Sequence, residues 1–285
     1  GGGLALGRAC ALVAENEVRY WDSRRDWRSV AALEDLLEAS RTAVATLRAA
    51  SGRVQDRAEY AQALTRWANG CFKAACVCDG DEAEGHLDRA DRAIEEVQRL
   101  FAGGPPTRIV GRAVLVGGVA RLVRGHLLRQ TGAPSCRQVI ADAAEMFYKA
   151  EDILVKALGE VNESSIYTHG NLGELFESDV GELRLALFHQ LKSASVAVRL
   201  WGQGHPTTRR KLQELSVFLH RLRLPPVPFG PRADDAHSLA HIDALVRRLE
   251  LTIGGGDCGG EDLRAWVDRG LPAGAMGEEA APTET

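Results

Sequence analysis

Two stretches hold residue types that bind metals. In "CFKAACVC", Cys71, Cys76 and Cys78 crowd together. Their spacing matches no common zinc pattern, and no second ligand pair stands beside them. Cys71 and Cys78 fall on one helical stripe, and cysteine is a frequent core residue, so the stretch reads as core. His237 and His241 are four apart, next to Asp234. A histidine pair at that step can hold a metal, but the glutamate of a zincin motif is missing, so a partly exposed helix face is expected. "GGGDCGGED" follows a helix and has no lysine after it, so it is no phosphate loop, and no G-x-S-x-G nucleophile motif occurs. The expectation is no catalytic residue, no metal and no cofactor. A third stretch, "YTHGNLGELFESD" from Tyr167 to Asp179, offers hydrogen-bonding groups and carboxylates on a helical pattern. Leu172, Leu175 and Phe176 fall at the spacing of one helix face. Yet Gly170 and Gly173 stand inside it, each costing about 0.8–1.0 kcal/mol relative to alanine.

The elements that would position these residues are helical. The chain has 285 residues with 45 % apolar and 6 % aromatic residues. Abundant Ala, Leu and Arg favour helix over sheet. A net charge of −4 lacks the basic footprint of a nucleic-acid binder. The six cysteines are not the dense framework of a small secreted domain. No run approaches the roughly 18–20 apolar residues that span a bilayer. "GGGLALGRACALVAE" has no basic head and is a poor secretory signal. The chain begins without Met, which fits a fragment or an incompletely predicted start. A cytoplasmic location is the default expectation.

Four helical segments close on glycine: at Gly52, at Gly103–Gly104, at Gly159 and at Gly202. Glycine just past the last turn suits a left-handed helix cap. Each segment carries a pair seven residues apart: Leu36 and Ala43, Ala83 and Ala90, Ala143 and Ala150, Ala186 and Ser193. Seven residues are two helical turns, so each pair marks a stripe where another helix comes close. Helices of a second class alternate with these, and Leu172 and Leu215 lie thirteen residues after Gly159 and Gly202. Alternation at a roughly fixed period predicts a helix–turn–helix array of the solenoid type. The expected organisation is an N-terminal helical segment over 1–30, repeats over 31–224, a Pro-rich linker over 225–232, a capping helix over 233–253 and a flexible acidic tail over 254–285.

From Gly159 to Pro206 the chain resembles a tetratricopeptide repeat of the long kinesin-light-chain type. The matching residues are Leu172-Gly173, Phe176, Ala186 with Ser193, Gly202 and His205-Pro206. "ALGEVN", "HGNLGELFES" and "HQLKSASV" are similar to the amyloid protein-binding protein 2 family, with the resemblance covering roughly Thr42 to Gly202. The upstream repeats are degenerate, Val180 stands as a one-residue insertion, and that family's N-terminal part has no equivalent here. The resemblance implies an all-α fold, an α-solenoid of degenerate tetratricopeptide repeats.

It also implies a function. In peptide-binding repeats an Asn before the Leu-Gly pair bonds the ligand backbone, which places Asn171 first among the candidates. Its side chain both donates and accepts. Helical spacing puts Tyr167, Glu174 and Ser178 near the same face, with Glu177 on its edge. Gly173 would lie where paired helices cross, and Gly170 would leave room for a ligand backbone. Glu214, Val217 and Arg221 sit at corresponding offsets in the next helix, and Asn69 beside Trp67 is an upstream candidate. Two carboxylates favour a basic peptide. The expected protein is a non-enzymatic adaptor whose partner is a protein or peptide, with no nucleic acid and no membrane span. The resembled family adds substrate recognition for a cullin-type ubiquitin ligase, or microtubule-linked cargo transport. The alternative is a helical accessory domain of a larger enzyme, such as a SET/MYND-type methyltransferase.

Overall fold

The structure is a computed structural model that describes residues 30–50, 54–224, 226–227 and 235–254. Residues 1–29, the closing Gly52, most of the Pro-rich linker, Asp234 and the tail beyond Gly254 lie outside the described residues. Within these bounds the fold is all-α, with no strand among the described residues. The chain divides into two compact units after Gly159.

The first unit contains α1 (Val30–Ala50), α2 (Val54–Ala75), α3 (Gly80–Leu100), α4 (Arg108–Gln130) and α5 (Cys136–Leu158). Consecutive helices pack on one another, and α2 also packs on α4. The helix starts follow local chemistry. Asp81 and Glu82 stand in the first turn of α3 and Arg99 in its last, matching the helix dipole. The Thr107 hydroxyl accepts from the Val110 N–H and caps α4. Ala83 with Ala90, and Ala143 with Ala150, are fully buried, as the seven-residue pairs predict; of the first pair, Ala43 is buried. The core joins Leu47 of α1, Tyr60 and Leu64 of α2, Leu87 and Ile94 of α3, and Ala113 and Ala120 of α4. Tyr60 reaches across to Glu96 with its hydroxyl 2.5 Å from the carboxylate. Arg124 of α4 is mostly buried and meets three acids of α3, Glu84, Asp88 and Asp91.

The closest helix pair is α4 with α5. Gly111, Gly118 and Gly125 recur every seven residues along α4, and Leu154, Phe147 and Ile140 recur every seven along α5. A Cβ at Gly111 would lie 2.6 Å from Leu154 Cγ, one at Gly118 2.7 Å from the Phe147 ring, and one at Gly125 2.6 Å from Ile140 Cγ1. The two heptads therefore run antiparallel and interlock, each large apolar side chain seated over a glycine.

The second unit contains α6 (Glu163–Leu175), a π-helical turn (Phe176–Val180), α7 (Leu183–Trp201), α8 (Pro206–Arg221) and α9 (Asp235–Gly254). Its entry and its middle repeat the same local design. Gly159 adopts φ 85°, ψ 171° and Gly202 φ 71°, ψ 168°, a region open essentially to glycine alone. Three residues after each, a polar side chain caps the next helix. Asn162 Oδ1 accepts from the Ser165 N–H at 3.0 Å, and His205 Nδ1 accepts from the Thr207 N–H at 3.2 Å. Leu172 and Leu215, thirteen residues past the glycines, are both fully buried.

Helix α7 lies at the centre of this unit. Its buried pair, Ala186 and Ser193, lets α6 approach, and Ser193 Oγ donates to the Ile166 carbonyl at 2.8 Å. Thr208 of α8 donates to the Ala197 carbonyl at 3.1 Å. Helix α9 runs antiparallel along α7, held by Lys192 to Glu250 at 2.8 Å and Ser195 to Asp243 at 3.0 Å. Its first turn is pinned where Asp235 accepts from the Gln203 N–H at 3.0 Å. The π turn, Phe176–Val180, continues directly from α6. It closes at Gly181 with φ 79°, where the Glu182 N–H donates back to the Phe176 carbonyl at 2.9 Å.

Candidate functional site

The site begins with two helices brought side by side. Gly170 of α6 faces Lys211 of α8, and Glu177 of the π turn pairs with Arg221 at the end of α8. Both contacts advance in the same sense along the two helices, so α6 and α8 run roughly parallel. Their outer faces present Tyr167, 39 % exposed, and Val217, 53 % exposed. Asn171 is half-buried, and Glu174 and Ser178 are exposed.

The expected carboxylates are differently employed. Glu177 is mostly buried against Arg221. Glu214 takes Lys211 at 2.8 Å and Arg210 at 3.6 Å. Of the acids expected to attract a basic peptide, Glu174 is the one standing exposed. Arg221 is itself largely exposed and also lies over the Phe218 ring at 5.6 Å.

Of the two glycines, Gly173 is buried against α7, where a Cβ would meet the Gln190 side chain at 2.9–3.0 Å. It does sit where α6 and α7 pack. Gly170 needs a correction. It is buried, and a Cβ there would lie 3.0 Å from Lys211 Nζ and 3.8 Å from Ser193 Oγ. The space left by the missing side chain holds the lysine in place of a ligand backbone. A buried ammonium needs a partner, and the gap at Gly170 lets Lys211 lie flat while Glu214 takes its charge. Upstream, Asn69 and Trp67 are half-buried on α2.

Beneath this face lies a cluster that sequence reading misses. His169 of α6 and His189 of α7 place their Nδ1 atoms 3.1 Å apart, with the rings stacked at 5.3 Å. A hydrogen bond at that distance needs a proton on one Nδ1 and a lone pair on the other. Phe176 stacks on His189 at 5.5 Å, and Phe188 meets it edge-on at 5.0 Å. Burial pushes His169 down to about 4, with Lys192 adding to the effect. Burial, then His169, then Lys192 push His189 further down. Twenty residues separate the two histidines, and neither stands in a metal-binding or catalytic spacing. Only the α6–α7 hairpin joins them.

The cysteine stretch takes its expected place in the core but departs in its local structure. Helix α2 ends at Ala75, so Cys76 and Cys78 fall in a turn, off the expected helical stripe, while Cys71 lies in the core and Cys78 packs against it. Cys71 is fully buried and its thiol is pushed up to about 12 by burial. The turn delivers Cys78 to the start of α3, where its sulfur, a Glu82 carboxylate and a His86 nitrogen lie within 4.8 Å of one another. The sequence signal is a Cys-x3-Glu-x3-His step, visible only once Cys78 is joined to the following helix. His237 is exposed while His241 is buried with its Nε2 lacking a hydrogen-bond partner, so the pair does not share one exposed face.

No helix among the described residues is long and apolar enough to cross a membrane. No protein-family model, curated protein or solved structure matches the chain.

Proposed function

We propose that this chain is a non-enzymatic interaction adaptor of degenerate tetratricopeptide repeats, and that the α6/α8 face binds peptide segments of partner proteins. The observation that carries this reading is the exposure of Tyr167 and Val217 on two adjacent, parallel helices. An exposed aromatic ring on one helix and a branched aliphatic group on the other supply apolar contact area. Asn171, one turn after Tyr167 on α6, can donate to and accept from a peptide backbone, and Glu174 adds one exposed carboxylate. The ligand that suits this face is an extended segment with an apolar side chain and a neighbouring basic one. Partners of the ligase-substrate or microtubule-cargo kind follow from the family resemblance alone.

A peptide array probed with the full chain tests the reading. A selective binder is expected, with affinity lowered on the order of tenfold or more by Tyr167→Ala or Asn171→Ala, the loss of a central contact. Its affinity should also fall with rising salt. Absence of any selective binder, or affinity unchanged in both variants with helicity intact, overturns it.

A further inference from the structure

The turn between α2 and α3 and the start of α3 bring three donors together at the edge of the first unit's core, against which Cys78 packs. Cys78 lies just before α3, with Glu82 and His86 one and two turns along. Four-residue steps stack side chains on one side of a helix, and the three donor atoms lie within 4.8 Å of one another. Zinc-type ions bind sulfur at about 2.3 Å and nitrogen or oxygen at about 2.0–2.2 Å. Tetrahedral donors then sit roughly 3–4 Å apart, so the cluster closes on an ion with side-chain movements of about an ångström.

We propose that Cys78, Glu82 and His86 bind one divalent transition-metal ion, with water in the fourth position. One thiolate, one imidazole and one carboxylate form a mixed set suited to zinc, and unsuited to magnesium or calcium. The surroundings agree in sign. Asp79 and Asp81 are exposed acids beside the cluster. Burial, then the Glu82 and Asp79 carboxylates, raise the Cys78 thiol. A dication among these groups reverses that effect, and the thiol releases its proton as the metal–sulfur bond forms. One group opposes the ion. Arg89 Nη1 lies 3.2 Å from His86 Nδ1, so the guanidinium competes for the ring. Arg89 is exposed and swings clear when the ion enters. The bound ion would tie the turn carrying Cys78 to the first two turns of α3.

Cobalt(II) titration of the reduced, metal-free full chain tests this, because a cobalt–thiolate bond gives a near-ultraviolet charge-transfer band. One equivalent should produce the band, and zinc should abolish it by displacement. Cys78→Ser should remove the band. Glu82→Gln should weaken binding on the order of tenfold or more, since even outer-shell losses cost about 10–100-fold. Arg89→Gln should tighten binding, and Asp81→Asn should leave the band in place. Circular dichroism checks that each variant folds. No band, a band that survives Cys78→Ser, or affinity indifferent to Glu82→Gln overturns the proposal.

Discussion

Helix α4 of the first unit carries Gly111, Gly118 and Gly125 at seven-residue steps, and helix α6 of the second carries Gly170 and Gly173 three apart. In both units glycine lets a neighbour come close, yet the neighbours differ. Over α4 they are Leu154, Phe147 and Ile140, packed as a dry interlocking row. Over α6 they are the polar ends of Lys211 and Gln190, with the His169–His189 pair alongside. A helix glycine is therefore not one device. Against a rigid apolar side chain it fixes register and separation. Against a flexible polar one it provides room to bury a charged or amide group.

The largest effect should come from emptying the dry row. Phe147 is fully buried over Gly118, and Phe147→Ala should destabilise the first unit by about 3–5 kcal/mol, the range for a large aromatic lost from a core. Urea unfolding measures it. A cost below about 1 kcal/mol would mean the α4–α5 seam collapses freely and does not set register.

Acid should act on the other region. An unfolded histidine titrates near 6.5, while His169 and His189 are held lower in the folded unit by burial. Between about pH 6.5 and pH 4 the unfolded chain binds protons that the folded unit refuses. Stability therefore rises with pH across this window and is lost as pH falls, by roughly 1.4 kcal/mol per pH unit for each imidazole. The double variant His169→Phe/His189→Phe should flatten the slope of unfolding free energy against pH, as read by urea titrations at several pH values. A slope unchanged in the double variant would place the acid sensitivity elsewhere.

Much of this contrast is legible in the sequence, at the level of single helices. Every described member of the seven-residue pairs is buried, as are Leu172 and Leu215, and Gly159 and Gly202 do end their helices at positive φ, though with an extended ψ in place of the expected left-handed cap, because helix spacing and the glycine-only backbone regions act locally. The α4 and α5 heptads are also written in the sequence, but nothing local states that these two helices face each other. The candidate face is legible in part. Tyr167, Asn171 and Glu174 fall on one helix by spacing, whereas the pairing of Glu177 with Arg221 depends on α8 lying against α6. The same dependence hides the filling of Gly170, and the packing of α7 on α6 hides the histidine pair.

The smallest effect makes the sharpest comparison. Gly118→Ala and Gly173→Ala insert the same methyl group into a helix and gain the same propensity, about 0.8–1.0 kcal/mol. At Gly118 the methyl meets two ring carbons of Phe147 at 2.7 Å. The ring is locked between helices, so overpacking of about 1–3 kcal/mol exceeds the gain, and the protein should be destabilised. At Gly173 the methyl meets Gln190, whose side chain has rotatable bonds and whose Oε1 has no hydrogen-bond partner to surrender. Gln190 can turn aside, so the gain and the clash nearly cancel, and stability should stay within about 1 kcal/mol of the parent. Matched urea unfolding of the two variants decides it. If Gly173→Ala proves as costly as Gly118→Ala, the α6–α7 contact is as rigid as the α4–α5 row, and the distinction between the two regions fails.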